Sequence, residues 1–146
     1  MAVLNEIPKI EEWIYSKLSA SSAVTARVEA RIHPYQAPEN EPHPFVLFNY
    51  QSPYNGGDQR GLGTVRILTS TIWQIKLIAS GAPLAEDLAV VNAFDQLFQS
   101  AAAQTLNGYV FSSRRIEPVS YLEQVPRGAE TIRHLGGLYL IQVYPS

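Results

Sequence analysis

Cysteine is absent from this sequence of 146 residues. Its absence excludes disulfide bonds, thiolate metal sites and a cysteine nucleophile, so packing alone must hold the fold together. Charged side chains are scarce too, at 16% of the residues, and their balance leaves a net charge of -2. That charge argues against a large basic surface of the kind that neutralises a phosphate backbone.

Long apolar runs are also missing. The longest, at residues 45–48 and 138–143, are far shorter than the roughly 20 residues that a membrane-spanning helix needs. Residues 1–6 lack the basic and apolar segments of a secretory signal. We therefore expect no membrane span and no export. The length and the 46% hydrophobic content are typical of one globular domain, which we expect to cover residues 1–146.

Amphipathic patterns predict two helices. The first carries one apolar face at helical spacing, formed by Ile7, Ile10, Ile14 and Leu18. Ser21 or Ser22 is expected to cap a further short turn. The second, longer helix begins near Leu84 and continues to about Ala101, and Asn107-Gly108 is expected to mark its exit.

Strand patterns fill most of the remaining sequence. Residues 45–50 form an apolar run, and residues 65–77 alternate apolar and polar side chains. Residues 109–123 and 130–144 predict an antiparallel hairpin, with bulges at Pro118 and at Gly136-Gly137. No regular βαβ alternation is present. The predicted fold is therefore α+β, with a mostly antiparallel sheet covered by two helices.

Turn residues are dense between the first two strand patterns. Residues 51–63 contain Asn55-Gly56-Gly57-Asp58 and then Gly61-Leu62-Gly63. Such a composition is costly to hold in a regular element, because glycine loses much conformational freedom on folding. We therefore predict a long flexible loop over residues 51–63.

No motif for catalysis or cofactor binding stands out. Gly61 and Gly63 begin like a dinucleotide-binding pattern, but Arg66 replaces the third glycine, and a strand follows where pyrophosphate needs a helix N-terminus. A zinc site needs three or four convergent ligands, and the histidines form no i, i+4 pair. The three histidines are His33, His43 and His134. We expect no catalytic residue, no cofactor and no metal site.

Two adjacent arginines, Arg114 and Arg115, lie in a predicted strand and so point to opposite faces of the sheet. At most one of them can join a surface patch with Arg127 or Arg133. Local salt bridges are the simpler interpretation. The functional alternative is a surface that faces DNA or an acidic partner.

Several different local motifs follow one another along the whole chain in a definite order. They are a helix ending in residues 18–24, the run Arg31-Ile32-His33-Pro34, the proline-rich residues 37–44, the strand ending in Trp73-Gln74-Ile75, the long helix from Leu84 and the closing residues 133–139. In this order and spacing, the chain resembles the tail-terminator or tail-completion proteins of long-tailed bacteriophages. Those proteins are small α+β subunits that form a ring at the head-proximal end of the tail tube.

The resemblance implies a structural virion protein of the tail neck, assembled in the host cytoplasm, that catalyses no reaction. The ring, commonly of six copies, would stop tube polymerisation and join the tail to the head. Its partners would be the tail-tube protein and a neck connector or head-closure protein, with duplex DNA passing through without sequence-specific contacts. A closed ring uses a heterologous interface between loops and sheet edges of neighbouring copies.

Two groups of residues are candidates for these contacts. We expect the predicted loop to contact a neighbouring subunit or the tube through Tyr54, Asn55, Gly56, Gly57, Asp58 and Arg60. We expect the lumen or a partner to face Arg114, Arg115 and Arg127.

Other functions stay open from the sequence alone. The chain has the size of other neck components, such as a head-closure or connector protein. A small-molecule enzyme would need His33, His134 and scattered carboxylates to converge in one pocket. A nucleic-acid-binding module would use Arg114, Arg115, Arg127 and Arg133, and salt-dependent binding of duplex DNA would reveal it.

Overall fold

The computed structural model describes residues 2–60, 66–81, 85–99, 101–124 and 131–145. These ranges contain three helices, α1 (Ala2–Ala20), α2 (Ser22–Val28) and α3 (Ala85–Phe98). They also contain six strands, which are β1 (Ile32–Pro34), β2 (Phe45–Arg60), β3 (Arg66–Ser80), β4 (Ala101–Leu106), β5 (Tyr109–Gln124) and β6 (Thr131–Pro145). The predicted α+β class is confirmed.

All six strands belong to one sheet, in the order β1-β2-β3-β6-β5-β4. The short β1 runs parallel to β2, and every other neighbouring pair is antiparallel. The sheet is therefore mixed but mostly antiparallel, and the predicted hairpin of β5 and β6 is confirmed. The last strand of the sequence, β6, lies in the interior of the sheet between β3 and β5.

The main core lies between the helices and one face of the sheet. Ile10, Ile14 and Leu18 of α1 are fully buried, as their helical spacing predicts. Trp13 stacks on Phe111 of β5 with ring centroids 5.1 Å apart. Each apolar side chain of this size stabilises the fold by about 1.5–3 kcal/mol when it leaves water. The helices are thus fixed on the sheet by large apolar side chains.

Helix α2 is the short turn that the serines predicted. Ser21 has extended backbone angles and accepts a hydrogen bond from the Val24 amide at its side-chain oxygen, over 3.4 Å. It is therefore the N-cap residue of α2. It is a third helix in addition to the two predicted ones, and it packs against α1 and α3.

A smaller apolar cluster lies away from the main core. It consists of Phe45 of β2, Ile78 of β3 and Ile132 of β6, with Ala37 and Leu47 packed against it. The alternation of the strands places these three side chains on the sheet face opposite Trp73 and Ile75. We call this second face the outer face.

Strand β2 occupies most of the segment that was predicted as a loop. It continues to Arg60 and pairs with β3 at Pro53/Thr71 and again at Asp58/Thr69. Between these pairs the register shifts, so residues 54–57 lie opposite Ser70 alone. The turn-forming residues are therefore accommodated in an irregularity within the strand, where they do not end it. Residues 61–63 lie outside the described residues.

The end of the second predicted helix also needs correction. Helix α3 ends at Phe98, and residues after it form β4. Asn107 and Gly108 have φ angles of 50° and 84° and connect β4 to β5. Positive φ at both central positions is what a type I′ hairpin turn requires. The Asn-Gly pair therefore marks a hairpin, and it is not a helix exit.

The predicted bulges lie elsewhere. The register of β5 against β6 shifts at Ile116, whereas Pro118 pairs regularly with Gly137. Gly136 is needed for a different reason, because a Cβ atom there would lie 2.0 Å from the carbonyl oxygen of Ile75. Glycine at this position permits a close approach of the β6 and β3 backbones.

Candidate functional site

Both lateral edges of the sheet are stepped, because each edge strand covers only part of its neighbour. Strand β1 pairs with residues 46–48 of β2. Beyond that point, β2 continues to Arg60, and among the described residues no strand lies along residues 52–60 on that side. We call residues 52–60 the β2 step.

The opposite edge has the same form. Strand β4 pairs with β5 only as far as Ser113. From Arg114 to Gln124, β5 pairs with β6 alone within the part of the chain that the structure describes. We call residues 114–124 the β5 step.

The two steps lie at opposite ends of the sheet. Ile32 of β1 is level with Ser120 in the β5 step, through the row of pairs formed by Val46, Leu77 and Leu135. The end of the sheet that holds the β5 step is therefore also the end that holds β1. A second row of pairs crosses the other end of the sheet.

In that second row, β4 lies level with the β2 step. Gln104 of β4 pairs with Phe111, and the row continues through Val143 and Thr69 to Asp58. One edge of the sheet thus protrudes where the other is recessed.

The β5 step carries exposed apolar side chains. Leu122 is 59% exposed, Tyr121 is 45% exposed and Ile116 is 39% exposed. Tyr35, which directly follows β1 at the other edge, is 50% exposed. Three exposed apolar side chains on one strand make the β5 step a candidate interaction surface.

The predicted contact residues from Tyr54 to Arg60 lie in the β2 step. Their backbone is part of the strand, and their side chains lie outside the described residues. The structure therefore locates the predicted segment on a sheet edge. Whether it contacts another subunit or the tube stays a prediction.

The three candidate arginines have different surroundings. Arg114 is exposed at the start of the β5 step. Arg115 lies on the helix-covered face and forms a 2.8 Å ion pair with Asp95 of α3. The same carboxylate accepts a 2.8 Å hydrogen bond from the buried Tyr139 hydroxyl. Burial, together with this bond, raises the pKa of Tyr139 far above its usual value. Arg127 lies outside the described residues.

The histidines lie near one end of the outer face, but each has its own neighbours. His33 contacts the carboxylate of Glu41. His134 lies 2.8 Å from Glu123, and its ring stacks on Tyr121 with centroids 4.3 Å apart. Burial lowers the pKa of His134, with smaller effects from Lys76 and His43 in the same direction, while Glu123 opposes the shift.

This arrangement does not bring His33 and His134 into one site. A shallow cavity of about 380 Å³ at the proline-rich segment is lined in part by Glu41 and His43, but its lining includes neither His33 nor His134. Among the described residues, no three His, Asp or Glu side chains are grouped so that they can hold a metal ion. No helix in these ranges is long and apolar enough to cross a membrane.

Sequence reasoning missed the stepped edges, since they depend on which strands become neighbours. One signal was available, because Tyr121 and Leu122 are adjacent in a strand, where successive side chains point to opposite faces. Two adjacent large apolar residues near the end of a strand indicate that both faces are covered, either within the chain or by a partner. Here both are exposed.

Comparison with known proteins supports the fold alone. No family model matches the sequence, and no curated protein matches it. One similar solved structure has a TM-score of 0.56 and 18% sequence identity, over 94% of this chain and 96% of the other chain. The name of that protein says nothing about its function. At this identity, the likeness extends to the fold over nearly the full length of both chains.

Proposed function

We propose that the protein is a structural virion subunit that forms a ring at the head-proximal end of a phage tail tube. The ring, of six copies in the family that the sequence resembles, ends polymerisation of the tube and joins the tail to the head. One ring face meets the tail-tube protein, and the other meets a neck connector or head-closure protein.

The stepped sheet is the observation that carries this proposal. A closed ring needs two different, mutually complementary surfaces on every copy. The β2 step and the β5 step are different surfaces on opposite edges of one sheet, and they lie at opposite ends of it. This arrangement favours a repeated head-to-tail contact over a symmetric dimer.

The candidate residues take different roles within the proposal. The segment from Tyr54 to Arg60 lies on an edge that contacts a neighbouring copy or the tube. Arg114 is exposed and suits a lumen or a partner surface. Arg115 is engaged by Asp95, so its role is to hold α3 against the sheet. Arg127 is proposed, as the sequence suggests, to face the lumen or a partner.

The test combines native mass spectrometry with negative-stain microscopy. The purified chain is examined alone and after mixing with purified tail tubes of the cognate phage. We expect closed rings, either free or seated on one end of the tubes, and tubes that no longer elongate. A chain that stays monomeric and leaves tube ends uncapped contradicts the proposal. Binding to DNA-filled heads but not to tubes would favour another neck component.

A further inference from the structure

Among the described residues, no helix or strand covers the exposed apolar side chains of the β5 step. Leu122 is 59% exposed, and Ile116 and Tyr121 lie on the same step. Leu122 and Tyr121 are adjacent and point to opposite faces of the strand. A partner that covers both side chains must therefore contact both faces of the sheet at this edge. A molecule bound to one face alone would leave one of the two side chains exposed.

Two features limit continuous strand addition along this step. Pro118 has no amide hydrogen to donate, and the register shift at Ile116 interrupts the strand. Both features are known to protect sheet edges from indiscriminate pairing. Recognition here therefore depends on side chains and on the shape of the edge, more than on a long backbone ladder.

The other edge of the same sheet has the matching shape. Where β5 is recessed, β1 protrudes, because Ile32 is level with Ser120. Where β2 is recessed, β4 protrudes. If a second copy is placed beside the first in the same orientation, its β1 lies beside residues 118–120 of the β5 step, and the β4 of the first copy lies beside the β2 step of the second.

Tyr35 completes the apolar contact on the β1 side. Its φ angle is 67°, in the left-handed region that aromatic residues rarely adopt. Its amide nevertheless donates a 2.9 Å hydrogen bond to Phe48, so the chain is held at the β1 edge. Strained backbone of this kind costs about 1–3 kcal/mol and is concentrated at functional positions.

The β5 step also carries the exposed carboxylates of Glu117 and Glu123. Arg31, which precedes β1, has a side chain that is 20% exposed and already forms a 3.1 Å ion pair with Glu29. The contact therefore rests on the apolar side chains and on the shape of the two edges.

We propose that the β5 step, with Ile116, Tyr121 and Leu122, binds the β1 edge and Tyr35 of a second copy of this chain, so that the sheets of neighbouring copies adjoin. This inference rests on the proposed ring function and names its subunit interface. We choose a second copy as the partner because the β5 step and the β1 edge that fits beside it belong to the same sheet.

The first test compares two exposed leucines. Leu122→Lys places a charge in the proposed interface, whereas Leu88→Lys places the same charge on α3, where Leu88 is 49% exposed. Native mass spectrometry is run on both variants, alone and with purified tail tubes, and circular dichroism checks that both are folded. We expect Leu122→Lys to need at least a tenfold higher protein concentration to form rings. Leu88→Lys should form rings at the same concentration as the unmodified chain. Equal assembly by the two variants overturns the inference.

The second test uses the absence of cysteine. Tyr35→Cys combined with Glu117→Cys introduces the only two thiols of the chain. Within one copy these positions are separated by four strand spacings, about 19 Å along the sheet, whereas a disulfide requires Cα atoms within about 7 Å. Oxidation should therefore link different copies into a ladder on a denaturing gel. The control pair, Tyr35→Cys with Leu88→Cys, should not form it.

The outcomes separate this interface from the proposed function. Rings without the Tyr35–Glu117 ladder, or with an equal ladder in the control pair, overturn the interface and leave the ring function standing. Absence of rings from the unmodified chain, both alone and on tubes, overturns the proposed function and the interface together. A ladder specific to the first pair, with loss of assembly in Leu122→Lys, supports the interface.

Discussion

Asp95 joins helix α3 to two strands through the two oxygens of one carboxylate. One oxygen pairs with Arg115 of β5, and the other accepts the hydrogen bond of Tyr139 in β6, each over 2.8 Å. Tyr139 is almost fully buried, so its hydroxyl has no access to water as an alternative partner. The carboxylate therefore adds two polar contacts to the apolar packing that fixes α3 on the sheet.

Asp95→Ala should lower the free energy of unfolding by about 1–3 kcal/mol, because it leaves a buried hydroxyl and a guanidinium without their acceptor. Urea denaturation measures the change. Glu86→Ala, at an exposed acid of the same helix, is the control and should change stability by less than about 0.5 kcal/mol. Similar losses in the two variants would show that the Asp95 contacts contribute little.

His134 makes stability depend on pH in a definite direction. Its folded-state pKa is lowered by burial, so the unfolded chain binds a proton more readily than the folded chain. Stability is therefore lost as the pH falls through the ordinary histidine pKa of about 6.5, until the folded-state pKa is passed. His134→Gln should flatten this loss in urea titrations at pH 7.5 to 5, an interval about the ordinary pKa. His43→Gln, at an exposed histidine, should retain it.

At the scale of elements, Gly136 and Gly108 are each required to be glycine, but for different reasons. A Cβ at Gly136 would collide with the Ile75 carbonyl, whereas a Cβ at Gly108 meets nothing within 4 Å but requires a φ of 84°. The first is a packing constraint between β6 and β3. The second is a constraint of the hairpin turn alone.

Gly136→Ala should destabilise the chain by about 3 kcal/mol, the upper end of the usual cost of overpacking, because a backbone atom of β3 must move and the site lies inside the sheet. Gly108→Ala should cost only about 1–2 kcal/mol, the cost of a left-handed backbone for alanine. Chemical denaturation of both variants checks the order. A Gly108→Ala loss that equals or exceeds that of Gly136→Ala contradicts the close approach of the two backbones.

Local patterns predicted the elements but not their neighbours. The alternation around Trp73 and the helical spacing of Ile10 and Ile14 indicated β3 and α1, since both patterns depend on burial of one face. Helical apolar spacing up to about Ala101 predicts a helix exit at Asn107-Gly108, because apolar spacing alone does not separate the end of a helix from the start of a strand. An Asn-Gly pair before a strand pattern is the stronger signal, and it indicates a hairpin turn.

The candidate surfaces were less accessible to sequence reasoning. The turn residues of residues 54–57 were recognised, but only the pairing of β2 with β3 shows that they interrupt a strand without ending it. Likewise, Leu122 becomes an edge residue only because β4 stops short at Ser113. Both depend on pairing between segments that are distant in the sequence.

At the scale of the whole molecule, charge limits what the isolated chain can bind. The net charge is -2, and several arginines are already paired within the fold, among them Arg27 with Asp87 and Arg115 with Asp95. A chain with this net charge has no overall excess of cationic groups to release counterions from a phosphate backbone.

The isolated chain should therefore show no measurable binding to duplex DNA in fluorescence anisotropy titrations, even at low ionic strength. The family resemblance implies only passage of DNA through an assembled ring, which requires no affinity of a single copy. Salt-dependent binding that is weakened by Arg114→Ala would instead favour a nucleic-acid-binding module.

The interior position of β6 has a consequence for how a copy reaches its final form. Strands β2 and β3 are near each other in the sequence, as are β4, β5 and β6, so the β3–β6 contact joins two groups of strands that α3 separates in the chain. Closure between such distant segments is slow relative to formation of local hairpins. A nascent or truncated chain without β6 holds the two edges on separate pieces, so only a completely folded copy presents both edges on one sheet.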